Sequence, residues 1–502
     1  MFEKNRKRRV IYNDDADQVY SGFEGYGYHI NDEQSLLDTR TTPTFGTHVD
    51  TYVWCVGNGA DLPWGSLLGD KLWPWLGTFE HGTDLIVEAC HAQGMEVWGS
   101  LRMNDLHDSF MADRLEDAAE PIKAEHPEYL IAPEADRRLP DHLSERYLWT
   151  ALNFALPEVR DYRLRFIEKN ASAHDFDGYE LDFTRFIWDF PLGEERKHAP
   201  LMTDFVRKVR ALLDAIGKQR GRPYTLVVHV PDSPSVSLDL GFDVKAWLEE
   251  KLVDVLVVGM GYVVFGMNPA EWKHLTSPYG VPVYPSLNAA VFTTKYIRVP
   301  DGPIFTESTR AVAANWWRQG ADGICLFNLF ALQDKVLGGF SRDVIFAPLR
   351  EVGDPDLLMG QNKMYGIQST SDRSTLQQGS ETPPLPIALD TREYELPLFM
   401  GPDAEDPRAN MEIRAWTRGG DADTKVWFRL NHTLLEPKKE GDWYIAEVPE
   451  GIMRSGQNRL AMWCDAQLSE PDPLFKSEGV HTAIDPIIVL RVVVPVRYTQ
   501  TQ

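Results

Sequence analysis

Over residues 1–350, short apolar runs of β-forming residues alternate with segments whose apolar positions recur at helical spacing. The runs fall at 9–14, 49–57, 95–101, 176–183, 224–230, 253–260, 281–287 and 322–328. Between them lie "PEVRDYRLRFIEKNASAH", "PLMTDFVRKVRALLDAIGKQ" and "TESTRAVAANWWRQG", each amphipathic at a helical period, the last closing on Gly320. Eight strand-like runs interleaved with helices predict a TIM (β/α)8 barrel, in which functional side chains collect at the C-terminal ends of the strands. The longest interruption runs from Met103 to Asn153, after the third strand. It is expected to fold against the barrel rim with little core of its own, and its charges between Asp113 and Asp136 to be solvated and screened.

Beyond Arg350 the pattern changes. The stretch 351–385 contains "GIQSTSDRSTLQQGSETPPLP", polar and rich in Ser, Thr, Gln and Pro, and reads as a linker or irregular connection. From 386 to 502 short alternating runs such as "TKVWFRLN", "GDWYIAEVP" and "PIIVLRVVVPVRY" are separated by turn residues and predict a smaller all-β sandwich.

Composition adds exclusions. The 502 residues carry a formal net charge of -24, which argues against non-specific binding to nucleic acid or an anionic membrane surface. Cys55, Cys90, Cys325 and Cys464 are widely spaced, which favours buried free thiols over a disulfide framework. The apolar segment after the basic N-terminal run is only Val10, Ile11 and Tyr12, too short for a signal-peptide core or a membrane span, so the chain as given reads as cytoplasmic unless a leader has been removed.

The stretch "FDGYELDFTRF" carries the clearest chemistry. In a strand Gly178, Glu180 and Asp182 share one face, and Tyr179, Leu181 and Phe183 the other. Asp182 ends the inward set, where barrel enzymes place catalytic groups, and Glu180 lies one pleat deeper. Two carboxyls so close push one proton affinity upward, unless Glu180 is a core group paired with a buried cation. Further polar residues collect at the other strand ends: Asn13, Asp14 and Asp15; Arg102, Asn104, Asp105, His107 and Asp108; His229 and Asp232; Tyr262; Tyr284 and Asn288; and Asn328. Asp105, His107 and Asp108 include possible metal ligands, but no paired His-x-His follows the first strand, so no metal and no other cofactor is expected. Trp64, Trp73 and Trp75, in the loop after the second strand, suit a carbohydrate cleft, although each taken alone fits equally well beneath a loop.

"RRVIYNDDAD", "LRMNDLHD", "LNFALPEVRDY", "FDGYELDFTRF" and "GADGICLFN" together resemble the bacterial barrel proteins grouped as glycoside hydrolase family ten-like. That resemblance implies a TIM barrel acting on a glycan and carries no settled catalytic assignment. An Asp ending the fourth strand is also similar to retaining α-glycosidases of the α-galactosidase type, where that residue is the nucleophile. Their acid lies on the sixth strand, and here "DVLVVGMGYVV" holds no carboxylate. The expectation is a glycoside hydrolase with Asp182 as nucleophile or charge stabiliser and Asp232 or Glu180 as proton donor. Asp15, Trp54, Arg102, Asn104, Asp105, His107, Arg185, His229, Tyr262 and Asn328 are expected around the carbohydrate. The alternatives are a non-catalytic glycan-binding barrel and a polysaccharide lyase.

Overall fold

The computed structural model describes residues 6–16, 32–57, 79–118, 120–135, 138–139, 143–261, 264–288, 305–327, 329, 342–367, 369, 384–420, 424–465 and 486–498. Tyr262, Asn328, Trp64, Trp73 and Trp75 lie outside them. Eight parallel strands close into a barrel in chain order: β1 (Val10–Asp14), β2 (Val49–Cys55), β3 (Glu96–Arg102), β4 (Gly178–Asp182), β5 (Thr225–Val230), β6 (Val255–Val258), β7 (Val283–Asn288) and β8 (Ile324–Phe327). Each falls within or beside one of the eight runs read from the sequence. Helices Pro157–Ala173, Glu195–Arg220 and Phe305–Arg318 cover the wall. The second starts at Glu195, ahead of Pro200, and ends on Gly221 in the left-handed region at φ 68°.

The alternation in β4 divides the two cores. Tyr179, Leu181 and Phe183 join the large cluster between barrel and helices, where Phe183 packs on Phe242 with ring centroids 4.7 Å apart. Inside the barrel, Ile11, Val53, Trp98, Val227, Val255, Val257, Tyr284 and Cys325 form a separate apolar plug. Trp98 explains Gly178: a Cβ there would stand 2.6 Å from the indole Cδ1, so only glycine fits beside the ring. At the same end Arg8 lies over Trp98 and clamps Glu96 with bonds of 2.7 and 2.9 Å, and Thr51 Oγ1 donates to the same carboxylate.

The 103–153 segment departs from expectation. It has a core of its own: Leu106, Tyr147, Leu148 and Ala151 pack with Phe186, Ile187 and Trp188 from the connection after β4. Some of its charges are buried rather than screened. Lys123 Nζ binds Asp108 Oδ2 at 2.7 Å, and Arg163 holds Glu120 at 2.8 and 3.0 Å, all four side chains being closed to solvent. Arg114 and Asp117, by contrast, pair at 3.2 Å in the open.

The remaining strands are β9 (Lys363–Ile367), β10 (Ile387–Ala388), β11 (Tyr394–Met400), β12 (Ala409–Arg418), β13 (Val426–Leu430), β14 (Thr433–Leu435), β15 (Lys438–Glu440), β16 (Trp443–Glu447), β17 (Gly456–Cys464) and β18 (Ile488–Tyr498). They form two antiparallel sheets, β11-β17-β13-β14 and β10-β18-β12-β16-β15, with β9 also on β18. β9 falls inside the stretch read as a linker; its apolar "MYGI" run is too short to stand out between polar neighbours. At its start Lys363 Nζ and Tyr365 and Tyr498 hydroxyls converge on Asp403 at 2.5–2.6 Å. Asn315 donates from the barrel helix to the Phe399 carbonyl at 3.1 Å, joining sheet to barrel. All four cysteines are free and buried. Among the described residues no helix is long and apolar enough to cross a membrane.

Candidate active site at the barrel mouth

Asp182 ends β4 facing the lumen, in register with Arg102 on one side and His229 on the other. The "DFT" turn that follows fixes it. Asp182 Oδ1 accepts from the Thr184 amide at 2.8 Å, the Thr184 hydroxyl at 2.7 Å and the Arg185 amide at 3.2 Å. All its hydrogen bonds fall on that oxygen, so Oδ2 accepts none from the described residues. A carboxylate locked through one oxygen presents the other with little freedom to lose.

Arg102 lies across from it, its Nη1 donating to Asp105 Oδ2 at 3.3 Å and its Nη2 to Asp15 Oδ2 at 3.4 Å. Burial works against its charge, but Cys55, Asp105, Asp15 and Asp182 outweigh that and hold the guanidinium protonated. Asp105 in turn accepts from the His107 amide at 2.9 Å and from Nδ1 at 2.5 Å. Burial opposes ionisation of Asp105, yet His107 and Arg102 hold its carboxyl well below the usual range. Arg185 has only donors, so the 2.8 Å contact from its Nη2 makes His107 Nε2 an acceptor. The ring is therefore neutral with its proton on Nδ1. Burial, Arg185 and Arg102 all lower its proton affinity, and Asp105 only partly restores it.

His229 faces Asp182 from β5. Its Nε2 donates to the Gly259 carbonyl at 2.8 Å, which leaves Nδ1 towards Thr184 Oγ1 at 3.4 Å and Asp182 Oδ1 at 3.8 Å. Burial depresses its proton affinity against the pull of Asp182. Glu180 sits one pleat below Asp182, fully buried. Its Oε2 accepts from Ser100 Oγ at 2.6 Å and Asn13 Nδ2 at 3.3 Å, and Oε1 has no partner. Burial first, and the Asp182 charge second, push this carboxyl above the ordinary range.

The structure thus gathers Asp15, Arg102, Asp105, His107, Glu180, Asp182, Arg185 and His229 into one hydrogen-bonded or register-linked group. Asn104 is committed elsewhere, as its amide donates to the Leu152 and Trp188 carbonyls at 2.9 and 2.7 Å and its Oδ1 accepts from the Leu152 amide. It ties the 103–153 segment to the connection after β4. Trp54 also departs from expectation: it faces the helix layer, buried, with Nε1 donating to Thr83 Oγ1 at 3.1 Å. Asp232 binds the Met260 amide at 2.8 Å through Oδ1, anchoring the connection after β6 beside Gly259. The sequence reading missed Thr184, which a D-x-T turn signature suggests. It also missed Arg40, which bridges Asp14 and Asp15 at 2.8 and 3.0 Å and which no local signal marks.

Among the described residues, no group of three or more His, Cys, Asp or Glu side chains converges as a metal site; Asp108 turns to Lys123 instead. Among the described residues, a cleft of about 910 Å³ is bordered by Asn410, Glu412, Arg414 and Arg497 on the sandwich, and one of about 740 Å³ lies between Trp317 and Tyr498. Neither cleft holds the group of constrained carboxyls and cations that meets at the barrel mouth.

No family model and no curated protein sequence matches this chain. Among solved structures, an α-amylase from Anoxybacillus aligns at 14% identity over 94% of this chain and 100% of its own, with a TM-score of 0.40. An α-amylase from Geobacillus thermoleovorans, complexed with acarbose, aligns at 13% identity over 91% and 99%, with a TM-score of 0.43. A GH36 α-galactosidase from Geobacillus stearothermophilus aligns at 12% identity over 91% and 56%, with a TM-score of 0.38. Likenesses this distant carry no argument about chemistry, and the membership in a family ten-like group expected from sequence motifs finds no support in them.

Proposed function

We propose that the protein is a glycoside hydrolase in which Asp182 acts as nucleophile or stabiliser of the developing sugar cation. The observation that carries this reading is the Asp182 carboxylate itself: three donors fix Oδ1, and Oδ2 accepts no hydrogen bond from the described residues, at the C-terminal end of a barrel strand. Arg102, between two further carboxylates, and Arg185, held by His107, supply donors for sugar hydroxyls. Of the two candidate proton donors, Glu180 is the weaker, because it is sealed beneath Asp182 and cannot touch a glycosidic oxygen. Asp232 remains the stronger candidate on position alone, at the end of β5.

The test is Asp182→Asn, assayed for new reducing ends over a panel of plant and algal polysaccharides. The expected loss of kcat is on the order of a thousandfold or more with unchanged unfolding behaviour. Retention of more than about a tenth of the rate sinks the assignment.

One observation favours a second reading. Neutral His107 is oriented by Asp105 and capped at Nε2 by the Arg185 guanidinium, and a uronate carboxylate that drew Arg185 away would free Nε2 as a base beside a carboxylate-neutralising cation. A polysaccharide lyase acting on a uronate needs that pair. Its products absorb in the ultraviolet as unsaturated sugars, and those of a hydrolase do not.

A further inference from the structure

The barrel interior encloses a carboxyl to which the structure gives no cation. Glu180 is closed to solvent, and the groups that face it from every neighbouring strand are Asn13 on β1, Ser100 and Arg102 on β3, Asp182 on β4, His229 on β5, Ser286 on β7 and Cys325 on β8. Among the described residues only Asn13 and Ser100 bond to it, both on Oε2. The one cation near enough to matter, Arg102, is turned upward to Asp15 and Asp105. Two carboxyl oxygens therefore lack a hydrogen bond from the described residues, Glu180 Oε1 and Asp182 Oδ2, and they belong to consecutive inward positions of one strand.

We propose that Glu180 and Asp182 form a carboxyl pair holding a single proton, with Glu180 kept as the neutral acid and the negative charge confined to Asp182. Glu180 is then a positioning residue. Two ionised carboxylates in one buried file repel, and a file whose counter-ion, Arg102, is set against Asp182 and not Glu180 relieves that by retaining one proton on the inner group. The proton stays on the inner group because Asp182 has three fixed donors and Glu180 has two, one of them long. Burial and the Asp182 charge act in the same direction on Glu180, and the Ser100 hydroxyl opposes them. The role of mobile acid is thereby removed from Glu180, which instead keeps its neighbour charged. This inference rests on the hydrolase reading only for the identity of the reaction; the proton count can be read without a substrate.

Three measurements test it. In infrared difference spectra at neutral pH, the full chain is expected to show a buried carboxylic-acid carbonyl band that Glu180→Gln removes and Asp182→Asn does not. The stability that Glu180 contributes is fully present below the ordinary carboxyl value of about 4.3 and is lost as pH rises through the raised value of the folded protein. Wild type should therefore lose up to about tenfold in the unfolding equilibrium per pH unit, relative to Glu180→Gln, across that window. The raised Asp189 carboxyl, present in both proteins, cancels in the difference. On a substrate, the acid limb of kcat/KM stays in place in Glu180→Gln if Glu180 is already neutral, and moves to lower pH if a negative charge has been removed. Glu180→Ala is expected to lose activity about a hundredfold, and Glu180→Gln to recover most of it. Absence of the acid band, or a downward shift of the acid limb, overturns the proposal. If no hydrolysis is found at all, the infrared and stability measurements still decide it, so its failure is separable from that of the hydrolase reading.

Discussion

Two glutamates face the interior of the same barrel, and they are treated oppositely. Glu96, at the N-terminal end, receives two bonds from the Arg8 guanidinium and one from Thr51. Glu180, towards the mouth, receives one good bond from a serine and a long one from an asparagine. Both are buried, so desolvation does not separate them; the counter-ion does. Where the barrel must only hold together, the charge is matched in full. Where it holds Asp182, the match is withheld and the charge can be moved to a chosen atom.

That contrast can be broken most severely at the bottom. Glu96→Gln leaves the Arg8 charge buried without its partner, and a broken buried pair costs about 3–5 kcal/mol. Urea unfolding should show that loss, with kcat of the remaining folded protein unchanged. If the variant is as stable as wild type, Arg8 and Glu96 are not the structural counterpart of the mouth. A similar loss, about 3 kcal/mol or more, is expected for Lys123→Met, which strands Asp108 beside Glu120. Arg114→Ala on the same segment removes only an exposed pair and should leave the midpoint where it is. Equal effects from the two would mean that the burial in the 103–153 segment does not carry its stability. The smallest effect belongs to Trp54→Phe. It deletes one hydrogen bond to Thr83 in the helix layer, worth about 1 kcal/mol, and should not touch KM. A rise in KM would return Trp54 to the substrate side.

The barrel was legible because its strands are apolar runs bounded by polar ends, and Asp182 because β4 alternates cleanly. β2 shows the limit. Its sequence "VDTYVWC" is apolar on both faces after Thr51, so nothing in it tells the lumen face from the helix face, and Trp54, expected near the carbohydrate, packs in the helix layer. Asn104 shows another: an amide that binds backbone carbonyls looks the same in sequence as one that binds a ligand. Lys123 and Glu120 sit in a charged stretch with no sign of burial, since the partners that enclose them, Asp108 and Arg163, come from either side of it. The gathering of Asp15, Arg102, Asp105 and His107 could be anticipated from strand ends. The order of their bonds could not, and that order decides which proton sits where.

The topology of the six-stranded sheet has a consequence for how the chain is made. β18 pairs along one edge with β12 and along the other with β9 and β10, and it follows all three in the sequence. Every other strand of the barrel and the sandwich is synthesised before residues 488–498. Until they emerge, β9, β10 and β12 have unfilled edges, the kind of template that recruits strands from other molecules. A premature stop between β17 and β18 would thus release a chain with all eight barrel strands and an open sheet edge, exposed to self-association.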